Sequence, residues 1–527
     1  MKRKMILAAS ALAMAAATAP LQAETLKWAR TSDAQTLDPH AYNEGFTHTV
    51  NRQMYETLVE RDDEGALQPV LATDWTMLSD TPSTWEFKLR DGVTFHDGTP
   101  FEADDVVFSI MRAKSETSNM RSLLSAVESI EAVDPLTVRF HTSGVSPLLV
   151  NNLVNLMIMN RDWSEANGAE TPVNYKEGEE SYASLHENGT GAYTLVSRVP
   201  DSKTEMTAYD GYWGKDIFPM DIDHIVYTPI QSAATRVSAL LSGDINFLQD
   251  VPAQDIERLK QAPGIAVVTG PENRTIFFGL NIGAETLTHG EAEGNPFGDV
   301  RVRRAMNMAI DRNVISKVVM RGQSQPQGTI APPFINGYSE EMGKLPTVDI
   351  DAAKALMDEA GYSDGFTVTL QCTNDAFVNE EAICQSLVGM LARIGIDVRL
   401  DVQPGGVQFA TIAKGDTSFY VMGWGVSTFD SQYMFDNLVH SRSNGLGAWA
   451  SINYQNPELD AKIESLSSEG DLSKRDATIA EIWKVVQDEV LYLPIHLQML
   501  ARAMNEKFDI SSNMSNSLSV KTIKVKN

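Results

Sequence analysis

The sequence predicts an α/β fold, and two observations indicate it. Strand-like and helix-like segments alternate with short connections along the chain, and residues 366–422 follow the pattern of a βαβαβ unit. No internal repeat or low-complexity linker divides the chain into small independent modules. Its 527 residues are enough for about three domains or lobes.

The composition favours a globular protein whose partners are not nucleic acids. Apolar residues make up 43% of the chain and charged residues 21%, so large cores can form. The 70 Asp and Glu residues outnumber the 43 Lys and Arg residues, which gives a formal net charge of −27. A chain this acidic offers no basic surface for phosphates.

The first 23 residues have the three parts of a secretory signal peptide. Lys2, Arg3 and Lys4 form a basic start, residues 5–17 are apolar, and residues 21–23 (Leu-Gln-Ala) form a small-residue cleavage site. The apolar run is too short to span a bilayer. The alternative is a buried N-terminal helix. Because no cysteine stands immediately after residue 23, we expect an exported protein without a lipid or membrane anchor, which is periplasmic in a bacterium with two membranes.

The N-terminal third mixes predicted hairpins with helices. Thr99 and Glu102 have the spacing of a capping box before a helix predicted over residues 103–114. Strands are predicted over residues 85–90, 127–133 and 136–142.

The second half contains three predicted helices, each followed by a strand. Their predicted bounds are 353–360, 366–370, 383–394, 396–402, 407–414 and 419–422. Gly361 and Gly395 follow the first two helices, where a glycine commonly ends a helix. Strands joined by helical crossovers are expected to be parallel. Open parallel sheets bind ligands at the carboxyl ends of their strands, so residues 372–377 and 423–430 are candidate walls of a site.

The only two cysteines are Cys372 and Cys384. An oxidising compartment permits a disulfide between them, which would restrict the unfolded chain by about 3 kcal/mol in the loop-entropy model. The alternative is two separate buried thiols.

The sequence contains no motif for catalysis, a metal or a cofactor. We find no GxSxG elbow, HExxH helix, phosphate-binding loop or GxGxxG fingerprint, and the nine histidines show no metal-ligand spacing. His96 lies between two turn signals, which indicates a structural role, and His440 is a candidate cleft residue or a structural histidine. We therefore predict no catalytic residue, no metal site and no cofactor.

Residues 85–109, WEFKLRDGVTFHDGTPFEADDVVFS, closely resemble the signature of bacterial peptide/nickel-type solute-binding proteins of ABC importers. Further blocks match this family in order across nearly all of the chain after residue 23; they are residues 36–40, 55–58, 189–193, 211–213, 239–244, 300–305 and 456–460. The resemblance implies two lobes joined by a hinge, with an extra subdomain inserted in the first lobe. It also implies a ligand enclosed between the lobes and delivered to an inner-membrane permease.

The resemblance divides the chain into predicted units. After the signal peptide at 1–23, the first lobe comprises residues 24–58, 193–280 and 496–527. The inserted subdomain covers 59–192, and the second lobe covers 281–495. We expect a monomer.

The resemblance also implies ligand contacts in residues 423–430. Gly423, Trp424 and Gly425 match the family's Gly-Trp pair, with the indole as an apolar wall and the glycines allowing close approach of the backbone. Many peptide binders place an Asp three residues after this Trp to pair with the ligand's ammonium group. Here that residue is Ser427, which cannot neutralise a cation.

Two aspartates are candidate replacements for this ammonium partner. One is Asp430; the other is Asp33, which with Ala34 lies in a segment that matches a ligand-facing loop of the first lobe. The Ser427 departure leaves a modified peptide, an opine-like compound or another small nitrogenous solute open. Nickel is less favoured, since only Tyr42 stands where the metal-complex binders have their aromatic and Arg contacts.

We therefore predict a periplasmic solute-binding protein that captures a peptide or related solute by lobe closure. The rival hypotheses are a secreted hydrolase, such as a peptidase or amidohydrolase, and a receptor or chaperone for a larger partner.

Overall fold

The structure is a computed structural model that describes residues 24–526 apart from 64, 81, 147, 444, 512, 513 and 515. The predicted signal peptide at 1–23 lies outside the described residues. None of the helices in the described part is long and apolar enough to cross a membrane.

Strands and helices alternate through most of the described chain, as the α/β prediction requires. The strands are β1 (Thr25–Arg30), β2 (Val59–Arg61), β3 (Leu67–Pro69), β4 (Ala72–Asp80), β5 (Ser83–Leu89), β6 (Val127–Asp134), β7 (Thr137–Thr142), β8 (Tyr193–Val199), β9 (Lys203–Ala208), β10 (His224–Pro229), β11 (Phe247–Leu248), β12 (Ile265–Leu280), β13 (Gly290–Glu291), β14 (Ser324–Pro326), β15 (Phe366–Thr373), β16 (Ile396–Gln403), β17 (Phe419–Gly425), β18 (Tyr492–Asn505), β19 (Phe508–Asp509) and β20 (Lys524–Val525).

The α-helices lie mostly between these strands. They are α1 (Gly45–Asn51), α2 (Ala103–Ala113), α3 (Leu149–Asn152), α4 (Arg161–Ala166), α5 (Ala233–Ser242), α6 (Ile256–Lys260), α7 (Val300–Ala309), α8 (Arg312–Val314), α9 (Glu340–Gly343), α10 (Ile350–Glu359), α11 (Glu380–Ala392), α12 (Gly405–Lys414), α13 (Ser431–Met434), α14 (Pro457–Ser465) and α15 (Leu472–Asp488).

One large sheet runs through both halves of the molecule. Within the described residues it has the order β13-β15-β17-β12-β18-β11-β1-β10-β9-β8, with β14 paired to β18 and β16 paired to β15. The long strands β12 and β18 therefore connect the β15–β17 half to the β1–β10 half. A separate antiparallel sheet, β4-β5-β7-β6, lies within the segment predicted as the inserted subdomain.

The pairing between β12 and β18 is interrupted at the point where they cross between the halves. Their register shifts between Pro271 and Thr275, and again between Ile276 and Phe277. Residues 272–274, which lie within the first interruption, are thereby freed from the regular ladder. All three contribute to the wall of the cavity described below.

The βαβαβ prediction for the second half is confirmed. Strand β15 pairs in parallel with both β16 and β17, so β15 lies between them. Helix α10 begins where the Asp349 carboxylate accepts a 2.9 Å hydrogen bond from the Ala352 N–H. It ends before Gly361, whose φ of +89° is a conformation that favours glycine.

The predicted start of α2 was wrong in its capping residues, although the helix itself is confirmed. The N-cap is Glu102, and its backbone N–H donates a 3.0 Å bond to the Asp105 carboxylate three residues later. The Thr99 hydroxyl is bound instead to Asp97, at 2.6 Å. The Thr99 hydroxyl, which the prediction assigned to the helix cap, therefore belongs to a turn between Asp97 and Thr99.

The disulfide between Cys372 and Cys384 is present, and both residues are buried. It joins the end of β15 to the second turn of α11. The disulfide therefore holds the start of α11 against the sheet. Residues at this end of α11 line the cavity described below.

Candidate ligand-binding cavity

A cavity of about 660 Å³ lies where the two halves of the large sheet meet. Its volume falls in the range of cavities that hold small-molecule ligands. One side is formed by α1 and the N-terminal end of α5, and the other by the start of α11 and the segment that follows β17. Residues 272–274 and Gln498, on the crossing strands, line it between the two sides.

The wall on the β17 side is aromatic. The Trp424 ring centroid lies 5.7 Å from that of Tyr433 and 6.2 Å from that of Trp449. Phe409 continues this wall at 6.2 Å from Trp449, and Phe377 follows at 6.1 Å from Phe409. These five adjoining rings provide an extended surface for apolar or planar parts of a ligand.

The opposite side follows one face of α1. Gly45, His48, Thr49 and Arg52 all line the cavity, and their spacing places them on the same side of a helix. Glu44 begins this helix, since its carboxylate accepts hydrogen bonds from the N–H groups of Phe46 and Thr47 at 2.7 and 3.0 Å. The helix therefore runs along the cavity from Glu44 to Arg52.

Five arginines line the cavity of this acidic protein, and two of them are neutralised by carboxylates. The Arg30 guanidinium makes two hydrogen bonds to Asp250, at 2.8 and 3.1 Å. Arg274 donates from Nε to Glu272 at 2.8 Å. The other three are Arg52, Arg61 and Arg236.

These three arginines have no carboxylate oxygen within 4 Å among the described residues. Arg61 donates to the carbonyls of Ser427 and Thr428, at 3.2 and 2.9 Å, so it joins the two sides of the cavity. Burial lowers the pKa of Arg61 to about 10 and also lowers the pKa values of Arg52 and Arg236. The lining also includes Glu44, Glu380 and Glu381, so the cavity has five arginines and five acidic residues, and Arg52, Arg61 and Arg236 are the arginines without a carboxylate partner among the described residues.

Glu380, at the start of α11, is a cavity residue whose carboxyl group has a strongly raised pKa. Burial raises its pKa to about 8, against opposing hydrogen bonds from the Thr373 hydroxyl and from the Ala376 N–H at 2.8 Å. The group therefore retains its proton at neutral pH and adds little negative charge to the cavity.

We expect Glu380→Gln to stabilise the protein relative to wild type increasingly as the pH rises from 5 to 8. The unfolded carboxyl loses its proton near its ordinary pKa of 4.5, whereas the folded one holds it to about 8. The folded state thus binds one more proton in this window, and wild-type stability falls by up to about 1.4 kcal/mol per pH unit from this group. Urea unfolding at pH 5 and pH 8 measures the difference, with Asp397→Asn, an exposed carboxylate, as the control. Parallel pH profiles for wild type and Glu380→Gln would contradict it.

The structure brings five of the predicted ligand residues to this cavity. Tyr42, Gly423, Trp424, Gly425 and Ser427 all line it. The two glycines also leave room for neighbouring side chains, and their predicted role in the approach of a ligand stays a prediction. A Cβ at residue 423 would lie 2.5 Å from the Phe377 ring, and one at residue 425 would lie 3.2 Å from the Arg274 guanidinium.

Asp33, Ala34 and Asp430 are absent from the described residues that line the cavity. The Asp33 carboxylate is buried against Arg198, at 3.2 Å, and accepts a 2.8 Å bond from the Asp201 N–H. Arg198 also binds the carbonyl of Ala34. Asp430 accepts two hydrogen bonds from Arg475, at 2.7 and 2.8 Å. Because both carboxylates are satisfied by buried arginines, neither is placed to receive a ligand's ammonium group.

The histidines considered as site residues have structural partners. His96 is buried against Glu187, at 2.7 Å, and His440 is buried with its ring nitrogens on Ser441 and Glu464. No group of three or more His, Cys, Asp or Glu that could hold a metal ion occurs in the part of the chain that the structure describes.

No sequence motif pointed to the cavity arginines or to the cavity-facing side of α1. Arg52 and Arg61 flank the Tyr55 to Leu58 block, and Arg236 precedes the block at 239–244, so each lies beside a segment that was recognised. A sequence signal was present for α1, because Gly45, His48, Thr49 and Arg52 follow a helical period. That signal does not say which face meets a cavity.

Comparison with known proteins agrees with this architecture. A family model described as bacterial extracellular solute-binding proteins, family 5 middle, matches residues 66–445. A curated relative, the glutathione-binding protein GsiB of Salmonella paratyphi A, is 26% identical over 509 residues, which cover 94% of each chain.

Solved structures share the whole fold. The periplasmic binding protein AgaA of A. tumefaciens R10, in complex with agropinic acid, is 22% identical with a TM-score of 0.83, over 95% of this chain and 99% of that one. A dipeptide-binding protein of Pseudoalteromonas sp. SM9913, in complex with Met-Leu, is 20% identical with a TM-score of 0.83, over 95% and 100% of the two chains.

Proposed function

Because the chain belongs to family 5 of the bacterial extracellular solute-binding proteins, which serve ABC importers, we propose that it captures a small peptide or peptide-related solute bearing a carboxylate. The observation that carries this proposal is that three cavity arginines, Arg52, Arg61 and Arg236, have no carboxylate partner among the described residues. Glutathione, agropinic acid and Met-Leu, named for the relatives above, all carry carboxylates. Arginine recognises a carboxylate through paired hydrogen bonds.

Capture occurs by closure of the two lobes about the crossing strands β12 and β18. Contacts between the two sides of the cavity support this: Asn43 donates to the Tyr433 hydroxyl at 3.1 Å, and Arg61 binds two carbonyls beyond β17. A solute that contacts both sides binds the closed form better, and only that difference in affinity shifts the equilibrium. Trp424 supplies the apolar wall and Tyr42 part of the opposite wall.

The proposal includes the predicted organisation and location. The lobes comprise residues 24–58 with 193–280 and 496–527, and residues 281–495, with residues 59–192 inserted in the first. Cleavage after residue 23 releases a monomeric periplasmic protein that delivers its solute to an inner-membrane ABC permease. The importer's other subunits supply ATP hydrolysis. The hydrolase hypothesis gains no support from the comparisons, whose family and relatives are binding proteins.

Native mass spectrometry of the freshly purified protein tests the proposed function. We expect a bound solute whose mass is recovered after unfolding and whose chemistry includes a carboxylate. Rebinding of the recovered solute, unchanged after incubation, distinguishes a binding protein from a hydrolase. A retained solute without a carboxylate, or one that is converted, would contradict the proposal.

A further inference from the structure

We propose that residues 59–192, the segment assigned to the inserted subdomain, pack against the second lobe along a second closing surface that holds the lobes together without a solute. We call this surface the glycine seam, because its closest approaches occur at glycines. The inference rests on the proposed closure about β12 and β18, but it does not depend on which solute the cavity takes.

The seam begins at the edge of the cavity, where Arg61 reaches from β2 to the segment that follows β17. Its Nε and Nη2 groups donate to the carbonyls of Ser427 and Thr428, at 3.2 and 2.9 Å. On its own side, the guanidinium donates to the Gly65 carbonyl and to the Asn151 side chain, at 2.6 and 2.9 Å. Arg61 is therefore held in place by one side while it binds the other.

Phe429 packs on this first contact. The Arg61 guanidinium carbon lies 4.6 Å from the centroid of its ring, and a Cβ at residue 65 would lie 3.2 Å from the same ring. The φ of Phe429 is +57°, which is uncommon for a bulky side chain and persists where surrounding contacts hold it. The ring thus lies directly against the connection between β2 and β3.

The second contact lies outside the cavity. It joins the connection between β7 and α3 to the connection between α14 and α15. A Cβ at residue 144 would lie 2.6 Å from the Ser468 Cβ and 3.2 Å from its Cα, and a Cβ at residue 470 would lie 2.9 Å from the Val145 Cγ2. Side chains at Gly144 and Gly470 would therefore force the two connections apart.

A third contact lies at Gly445, and α3 connects all three. A Cβ at residue 445 would lie 3.1 Å from the Arg121 Nε. The Asn152 side chain, on α3, donates to the Leu123 carbonyl at 3.1 Å, which ties this region to α3. The neighbouring Asn151 belongs to the first contact, and the connection before α3 makes the second. The three contacts are therefore carried by one part of the inserted segment.

A surface of this kind favours the closed form by itself. Tightly packed atoms gain dispersion energy that is lost when the surfaces separate. Because rotation about β12 and β18 would part the two sides, the seam biases the equilibrium between open and closed forms before a solute binds. A larger closed fraction raises the apparent affinity for a solute without a contact to it.

Single methyl groups placed in the seam test this inference. Gly144→Ala and Gly470→Ala are suitable because neither glycine has the positive φ that Gly65 and Gly445 have, at +88° and +85°. We expect each variant to lower the ratio of closed to open protein by about tenfold, and the combined variant to lower it further. Gly389→Ala is the matched control, because its Cβ would meet nothing within 4 Å.

Small-angle X-ray scattering of solute-free protein measures this ratio. The protein is unfolded, refolded and verified as solute-free by native mass spectrometry. We expect wild type and Gly389→Ala to have the radius of gyration of the closed structure, and the seam variants to have a larger one. Adding Ser468→Gly to Gly144→Ala should restore the compact form, since it removes the Cβ at 2.6 Å; a general loss of stability would not be reversed in this way.

Three results would overturn the inference: an open wild-type protein without solute, seam variants as compact as wild type, or an expansion that Ser468→Gly leaves unchanged. The wild-type measurement remains decisive if a variant does not fold, because the inference requires compact solute-free protein. These failures are distinct from failure of the proposed function, since the scattering involves no solute. A retained solute without a carboxylate would contradict that function and leave the seam unaffected.

Discussion

Replacing Asp430 by asparagine should lower the free energy of unfolding by about 3–5 kcal/mol and leave the affinity of the folded protein for its solute unchanged. Asp430 accepts both hydrogen bonds of the Arg475 fork, and both side chains are almost fully buried, at 2% and 1% exposure. Its carboxylate also accepts a 2.9 Å bond from the Gln432 N–H at the start of α13. Loss of the negative charge leaves the Arg475 cation buried without its counterion, which is the costly way to break such a pair.

Urea unfolding and solute titration measure the two parts of this expectation. Asp397→Asn is a suitable control, because Asp397 is exposed and lies 4.0 Å from an exposed Arg399. The double variant Asp430→Asn with Arg475→Met should recover part of the lost stability, since it removes the unpaired cation. A stable Asp430→Asn protein that no longer binds the solute would instead support the ammonium-binding role that the sequence suggested.

The features that the sequence predicted well depend on local signals. Alternating helix and strand periods, with Gly361 and Gly395 at helix ends, were enough to predict the parallel β15–β17 unit. The disulfide followed from there being only Cys372 and Cys384 in an exported chain, although separate thiols remained open until the structure paired them.

The polar side of the site could not be predicted in this way. Asp430 lies near the position of the expected ammonium partner, but its real partner, Arg475, is 45 residues away and becomes adjacent only when α15 packs. Asp33 is removed from the cavity in the same way by Arg198. Arg52 and Arg236 face one cavity because segments nearly 200 residues apart meet around it, and no local pattern specifies that meeting.

Replacing Trp424 by alanine should weaken solute binding by about 30-fold or more, which corresponds to at least about 2 kcal/mol, with the fold retained. Trp424 is central in the aromatic wall, between Tyr433 and Trp449, and only 8% of its surface is exposed. Its indole N–H has no hydrogen-bond partner among the described residues. Truncation removes the contact area of the wall and leaves a space that a closed lobe cannot fill.

Trp424→Phe separates the two properties of this side chain. If the ring area dominates, phenylalanine restores most of the affinity that alanine loses; if the solute accepts a bond from the indole N–H, phenylalanine remains weaker by about tenfold. Trp163→Ala, on α4 and outside the cavity lining, controls for the loss of a partly buried indole. Calorimetric titration of each variant, with thermal unfolding to verify the fold, gives the comparison. A folded Trp424→Ala protein with wild-type affinity would remove Trp424 from the site, and the aromatic wall would then be a core surface.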